Sequence, residues 1–390
     1  MSEIRVDTIS EKTSGSGTTV SNLKNPNSPF RNLIINGDMS ISQRGTSFAA
    51  VNDDDYTLDR FKYDISGTDV YQFTISQSTE VPTGQGFAKS MKFDCTTADA
   101  SLDSDNFAII HTRLEGQNLQ SLKKGTSSAE STTLSFWVKS NKTGTYIAEL
   151  FDTENNRVIA KSYTISSSDT WEKKTITFPG DTTGTFSNDN SGRLRIHFWL
   201  LTGTDFSSGS LATDWESRNN VDRAVGQVNL GDNTSNEWYI TGIQFEVGDT
   251  ATDFEHLPHD VQLDRCMRYA YVHNNNADSF QQLLFLGATR GGTNKSFYIQ
   301  HPRPMRDTPS ITLSGEIRMI NIGQAENVDA DDTLTVGGVT PSIVGQNADE
   351  KGCNIFFNGA ISGMTDSGNT GYILMFQKET DNKLTFDAEL

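Results

Sequence analysis

The 390-residue chain is long enough for two or three domains and carries a net charge of −18, with pI about 4.7. That acid excess argues against a nucleic-acid partner, because phosphate contacts need clustered Lys and Arg. No apolar run approaches the roughly 18 residues of a membrane helix, so no membrane insertion is expected.

The hydrophobic fraction is low, 34%, and Thr, Ser, Asn, Asp and Gly fill the gap. Such a composition suits short strands joined by many turns. The N-terminus lacks the apolar core of a signal peptide, so the chain is expected to be made in a cytoplasm. Cys95, Cys266 and Cys353 are odd in number and widely spaced, which argues against a disulfide framework.

Residues 1–30 stand apart. Ile4, Val6 and Ile9 alternate with polar residues, and a Gly/Ser/Thr stretch follows. One short strand cannot satisfy its own backbone groups, so this segment is either a loose terminus or a tether that pairs with another chain.

Residues 31–257 read as a jelly-roll-like β-sandwich. Leu33 to Asp38 suggests a strand entering an Asn-Gly turn. Tyr71, Phe73 and Ile75 alternate with polar residues, and so do Leu134, Phe136 and Val138. Leu194, Ile196, Phe198 and Leu200 form a third set, with Arg193, Arg195, His197 and Trp199 opposite. The last strand of this domain is expected within 236–248. There Tyr239, Ile243, Phe245 and Val247 share one face, and Gly242 marks a bulge or close approach.

Residues 258–273 read as a helical connector. Asp260 is placed to cap it, and Leu263, Cys266, Met267 and Ala270 form one apolar stripe. Residues 274–390 return to a strand pattern and suggest a smaller C-terminal β-sandwich, with Pro302, Pro304 and Pro309 making 301–309 a connection.

No catalytic constellation stands out, so the chain is not expected to be an enzyme. There is no phosphate loop, nucleophile elbow or zinc-spaced Cys pair. His256 and His259 suit a polar junction better than a metal site. The acidic runs 53–55 and 329–332 read as solvated turns, with calcium as the functional alternative. One face does suggest chemistry. Trp137 and Lys139 on one strand, and Arg195, His197 and Trp199 on another, all oppose apolar sets. Aromatic rings beside cationic donors suit stacking on sugar rings and bonding to hydroxyls. The alternative, that one or both tryptophans pack a second sheet, stays open at this point.

Several motifs carry a family resemblance. They are Arg31-Asn32-Leu33-Ile34-Ile35-Asn36-Gly37-Asp38, continuing to Gly45, then Tyr56 to Phe61, Gly116 to Leu119, Leu134 to Ser140, and Asn236 to Gly248. In that order the chain resembles bacteriophage tail fibre and receptor-binding proteins. Leu263 to Tyr269 is similar to the family's connector. Pro304 to Pro309, Phe386 to Leu390 and Ile4 to Ser10 extend the likeness over most of the chain.

The resemblance implies a virion protein of the tail, synthesised in the host cytoplasm and assembled as a homotrimer. Residues 1–30 would attach to the tail or an adaptor protein, and the C-terminal β domain would face the host. The sandwich is similar to carbohydrate-binding modules, implying recognition of a host surface glycan or receptor. Such modules often hold a structural calcium, and Asp38 and Glu246 stand in roughly corresponding places. The chain lacks a repetitive shaft, heptads and collagenous repeats, which favours a short appendage. A ligand-free tail adaptor and a glycan-depolymerising tailspike are the rival readings; the tailspike would usually need a long repetitive β-helix.

Overall fold

The computed structural model describes residues 30–67, 71–274, 283–289, 295–314, 317–321, 342–343, 351–357, 371–376 and 383–390. The expected tether strand around Ile4, Val6 and Ile9 and the acidic run 329–332 lie outside the described residues.

The chain is all-β with one α-helix among the described residues. Its first part contains β1 (Ser47–Phe48), β2 (Asp55–Tyr56), β3 (Lys62–Ser66), β4 (Gln72–Ser78), β5 (Ser90–Thr97), β6 (Phe107–Glu115) and β7 (Thr132–Ser140). These are followed by β8 (Gly144–Asp152), β9 (Arg157–Ile165), β10 (Glu172–Phe178), β11 (Gly192–Thr202), β12 (Glu216–Ser217) and β13 (Glu237–Val247). They form a six-stranded sheet, β1-β4-β5-β13-β7-β10, and a seven-stranded sheet, β12-β9-β8-β11-β6-β3-β2. Every pairing is antiparallel.

Period-2 alternation turns one face of each sheet toward the other. Phe73, Phe93, Phe136 and Trp238 from the six-stranded sheet meet Tyr146, Leu194, Ile196 and Phe198 from the seven-stranded one in a single buried core. The rings pack edge-on, with Phe93 and Trp238 centroids 5.7 Å apart and Phe136 and Phe198 5.1 Å apart.

Strand β13 runs down the middle of the six-stranded sheet, between β5 and β7. Its alternation changes phase at Gly242. On β7 the step from Trp137 to Ser135 is two residues; on β13 the matching step from Thr241 to Gln244 is three. The extra residue is a bulge, with Gly242 at φ +63°, where a Cβ would lie 2.5 Å from the Phe87 ring. Trp238 and Ile240 therefore face the core before the bulge, and Ile243 and Phe245 after it. This corrects the expected grouping: Tyr239 lies on the outer face, and Val247, at the strand end, is 40% exposed.

Residues 33–38 form no regular strand. They lie along β13 in an irregular path, with Leu33 N donating to Phe245 O and Ile243 N to Gly37 O. Asn36 adopts φ +62°, and its buried amide bonds Ile41 N, Ile41 O and Asp59 O. Gly37 has no room for a side chain, since a Cβ would sit 2.0 Å from Ile243 O.

The connector helix α1 (His259–Met267) is shorter than expected. Pro258 stands at its N-cap and Asp260 lies in its first turn, making no cap bond. Ala270, expected on the helical stripe, already belongs to β14 (Ala270–Asn274). The strands beyond follow the sequence pattern. They are β15 (Leu283–Thr289), β16 (Lys295–Gln300), β17 (Ser310–Ser314), β18 (Ile317–Asn321), β19 (Ser342–Ile343), β20 (Gly352–Phe357), β21 (Gly371–Phe376) and β22 (Lys383–Asp387). They pair as β14-β22-β17 and β18-β21-β15-β16-β20-β19.

The last residues return to the first sandwich. Ala388 N donates to Tyr269 O, Tyr56 donates to Leu390 O, and Arg60 pairs with the buried Glu389.

Candidate functional site on the six-stranded sheet

The five residues expected on one binding face separate onto two. Trp137 and Lys139 lie on β7 in the six-stranded sheet, whereas Arg195, His197 and Trp199 lie on β11 in the seven-stranded one. Both sets point away from the shared core. They therefore sit on opposite outsides of the sandwich and cannot contact one ligand together.

The β11 set is also largely enclosed. Trp199 is fully buried in a small cluster with Ile109, Ile147, Ala160 and Ala224, and the chain over 206–224 covers it. Its indole N–H donates to Glu149 Oε2 at 3.1 Å. His197 Nδ1 lies 2.8 Å from the same oxygen, and Arg223 donates to both carboxylate oxygens at 2.7 and 2.9 Å. Burial by itself would raise the Glu149 pKa, but the Arg223 charge and the His197 hydrogen bond hold it down at about 2. This is a buried ion cluster that pins a covering loop. Trp199 and His197, expected as surface contacts, are structural. Arg195 keeps a 25% exposed side chain, 3.7 Å from Asp64.

The outer face around Trp137 is different. Lys92, Tyr239 and Lys139 stand side by side on β5, β13 and β7. Trp137 lies one step along, between Thr241 and Lys173. The Lys139 ammonium sits 4.4 Å from the Tyr239 ring centroid and 6.0 Å from that of Trp171, and it pairs with Glu80 at 3.0 Å. Tyr239 packs edge-on to Trp171 at 6.1 Å and donates its hydroxyl to Glu237 Oε2 at 2.6 Å. Lys92 donates to Glu237 Oε1 at 2.7 Å. Burial would raise the Glu237 pKa, but the bonds from Lys92 and Tyr239 lower it, so the carboxylate is a standing acceptor.

Tyr239 thus acts as a brace that fixes two ammonium groups. Trp137 and Trp171, both half-buried, present ring surface beside them. Sequence reasoning missed Tyr239 because the bulge hid its true face. Lys92 and Glu237 escaped because only strand pairing places them next to β7.

The far end of the same face is closed. Gln244 and Glu246 are buried under residues 252–255. Glu246, implied as a calcium ligand, accepts from Gln244, Thr252 N and the Thr252 hydroxyl, while Asp38 Oδ1 accepts from Ser40. Among the described residues, no three His, Cys, Asp or Glu side chains gather as a metal-holding group. One oxygen cage does exist, and a side chain fills it. The Lys124 ammonium lies 2.6 Å from Asp152, 3.0 Å from Asp181, 2.7 Å from Thr183 O and 3.0 Å from Gly184 O.

No protein-family model matches the chain, and no curated protein matches it. Solved structures do. One is the enzymatically active domain of tailspike protein 4 from bacteriophage CBA120, at 16% identity and TM-score 0.30 over 56% of this chain; this chain spans 22% of that domain. A second is the module TmCBM61 in complex with β-1,4-galactotriose, at 11% identity and TM-score 0.27, covering 56% of this chain and 99% of the module. A third is the family 11 carbohydrate-binding module from Clostridium thermocellum with a mixed-linked tetrasaccharide, at 14% identity and TM-score 0.24, covering 53% and 98%. These are distant likenesses, and the fold stands on the strand pairing described above.

Proposed function

We propose that this chain is a recognition component of a phage tail appendage that binds a host surface glycan without cleaving it. The contact is the outer face of the six-stranded sheet. The observation that carries the reading is the group of Trp137, Lys139, Trp171 and Tyr239, with Lys139 held over two rings beside the bonded Glu237 carboxylate.

A sugar ring offers C–H faces that stack on an aromatic plane and hydroxyls that both donate and accept. Trp137 supplies the plane, Lys139 and Lys92 supply donors, and Glu237 supplies the acceptor. Their mutual bonds preorganise them, so little side-chain freedom is lost on binding. A single open site of this kind binds weakly. Display on a trimer, as the tail-fibre resemblance implies, would raise avidity by about two to four orders of magnitude. Residues 1–30 would carry the attachment to the tail.

The test compares the full chain with Trp137→Ala on immobilised uncharged envelope polysaccharides from a bacterial panel. Wild type is retained, no oligosaccharide is released, and the variant is weakened about ten-fold, or about 1.4 kcal/mol, at unchanged melting temperature. Equal retention of both proteins refutes the site. Retention of neither, with the chain still docking to tails, replaces the reading with a ligand-free adaptor.

A further inference from the structure

Helix α1 and the turn after it pack on the first segment of the sandwich, where Cys266 and Tyr269 are buried with Ile35 and Ile41. Between them, the segment 30–35 and the turn following β6 lies a cavity of about 360 Å³. Three arginines line it: Arg265, Arg268 and Arg303. In a chain of net charge −18, this concentration of cations is local rather than a general property.

Two of the three have counter-charges. Arg268 donates to both oxygens of the buried Glu115 at 2.9 Å each. Arg303 donates to the carbonyl and carboxylate of Asp264. Arg265 has neither a hydrogen bond nor an ion pair among the described residues. Its Nη1 is shielded from solvent without an acceptor, and its guanidinium lies 5.7 Å over the Phe30 ring. Glu255, a carboxylate whose charge acts on it without pairing with it, already accepts from the backbone N–H groups of Arg31 and Asn32. A shielded guanidinium nitrogen with no acceptor is costly unless a ligand supplies one.

The rest of the wall is not cationic. Asn118 is exposed, and Phe30 offers an exposed ring. The cavity volume falls in the range of small-molecule sites. A bare inorganic anion would use Arg265 and leave the amide and the ring idle. A carboxylate on a hydroxylated ring would use all three.

We propose that this cavity binds an acidic sugar, with Arg265 pairing its carboxylate, Asn118 bonding a hydroxyl and Phe30 lying against the ring. The site is separate from the sheet face around Trp137 and does not rest on the reading of that face.

The full chain is titrated by calorimetry at low salt with D-glucuronate, D-galacturonate and N-acetylneuraminate, against D-glucose and inorganic phosphate. At least one acid binds ten-fold or more tightly than glucose and phosphate. Arg265→Gln, which keeps the side-chain volume, weakens that acid ten-fold or more. Asn118→Ala, at an exposed position where misfolding is not expected, weakens it several-fold, and Trp137→Ala leaves it unchanged. The proposal is overturned if none of the three acids binds, or if phosphate matches the best acid, which marks an adventitious anion site. It is equally overturned if folded Arg265→Gln and Asn118→Ala proteins both bind as wild type, or if Trp137→Ala abolishes acid binding.

Discussion

Replacing Glu149 with Gln tests the buried cluster that removes Trp199 from the surface. The side chain keeps its shape and loses its charge. Arg223, only 9% exposed, is then left without a counter-charge, and His197 and Trp199 lose a strong acceptor. Two routes give the size of the effect. Breaking a buried pair by removing one partner costs about 3–5 kcal/mol. Independently, the Glu149 carboxyl titrates at about 2 rather than 4.5, and that depression is worth about 3 kcal/mol of stability. A loss of about 3 kcal/mol lowers the melting temperature of a domain this size by about 6–12 °C. The sign of the pH dependence follows from the lowered pKa. The contribution is complete above pH 4.5 and fades as pH falls toward 2, so the gap between wild type and variant more than halves by pH 3. Scanning calorimetry at pH 7 and pH 3 measures both. A gap under about 1 kcal/mol at pH 7, or one that is equal at both pH values, refutes the reasoning.

Three further outcomes are expected. His111 is fully buried, and burial, only partly opposed by Asp64, pushes its pKa down to about 3. Below pH 6.5 the unfolded chain takes up a proton that the fold refuses, so about 2 kcal/mol of stability is lost by pH 5; His111→Gln flattens that loss in denaturant titrations. Lys124→Ala leaves the buried Asp152 and Asp181 short of a cation, although Arg157 still bonds Asp181, and costs about 3 kcal/mol by the same titrations. Gly242→Ala forces a left-handed conformation on an alanine and presses its Cβ toward Phe87, which costs about 2 kcal/mol and is read as a fall in melting temperature.

Much of the fold was legible because strand alternation is a local signal. On β11 the inner set Leu194, Ile196 and Phe198 and the outer set Arg195, His197 and Trp199 fall as the pattern indicates. The strands β17, β20, β21 and β22 likewise coincide with apolar runs. What alternation cannot supply is the partner. β7 pairs with β13, about a hundred residues away, and nothing local to Trp137 or Trp199 says that their strands enter different sheets. Nor does an outward side chain stay exposed when a loop folds over it, as 206–224 does over Trp199. One signal was available in the chain itself. Glu149 interrupts the apolar run Tyr146–Phe151 of β8, and a carboxylate inside such a run implies a buried cation from elsewhere, here Arg223. The face of Tyr239 depended on the phase change at Gly242. A glycine in a strand suggests such a change but does not fix where it occurs.

The most direct test of glycan recognition by the sheet face is an array of uncharged bacterial glycans probed in parallel with the full chain, Trp137→Ala and Lys139→Ala at matched concentration and confirmed folding. The account predicts a defined set of glycans bound by wild type and lost or strongly weakened in both variants. An identical bound set in all three proteins, or no glycan bound by wild type, contradicts it.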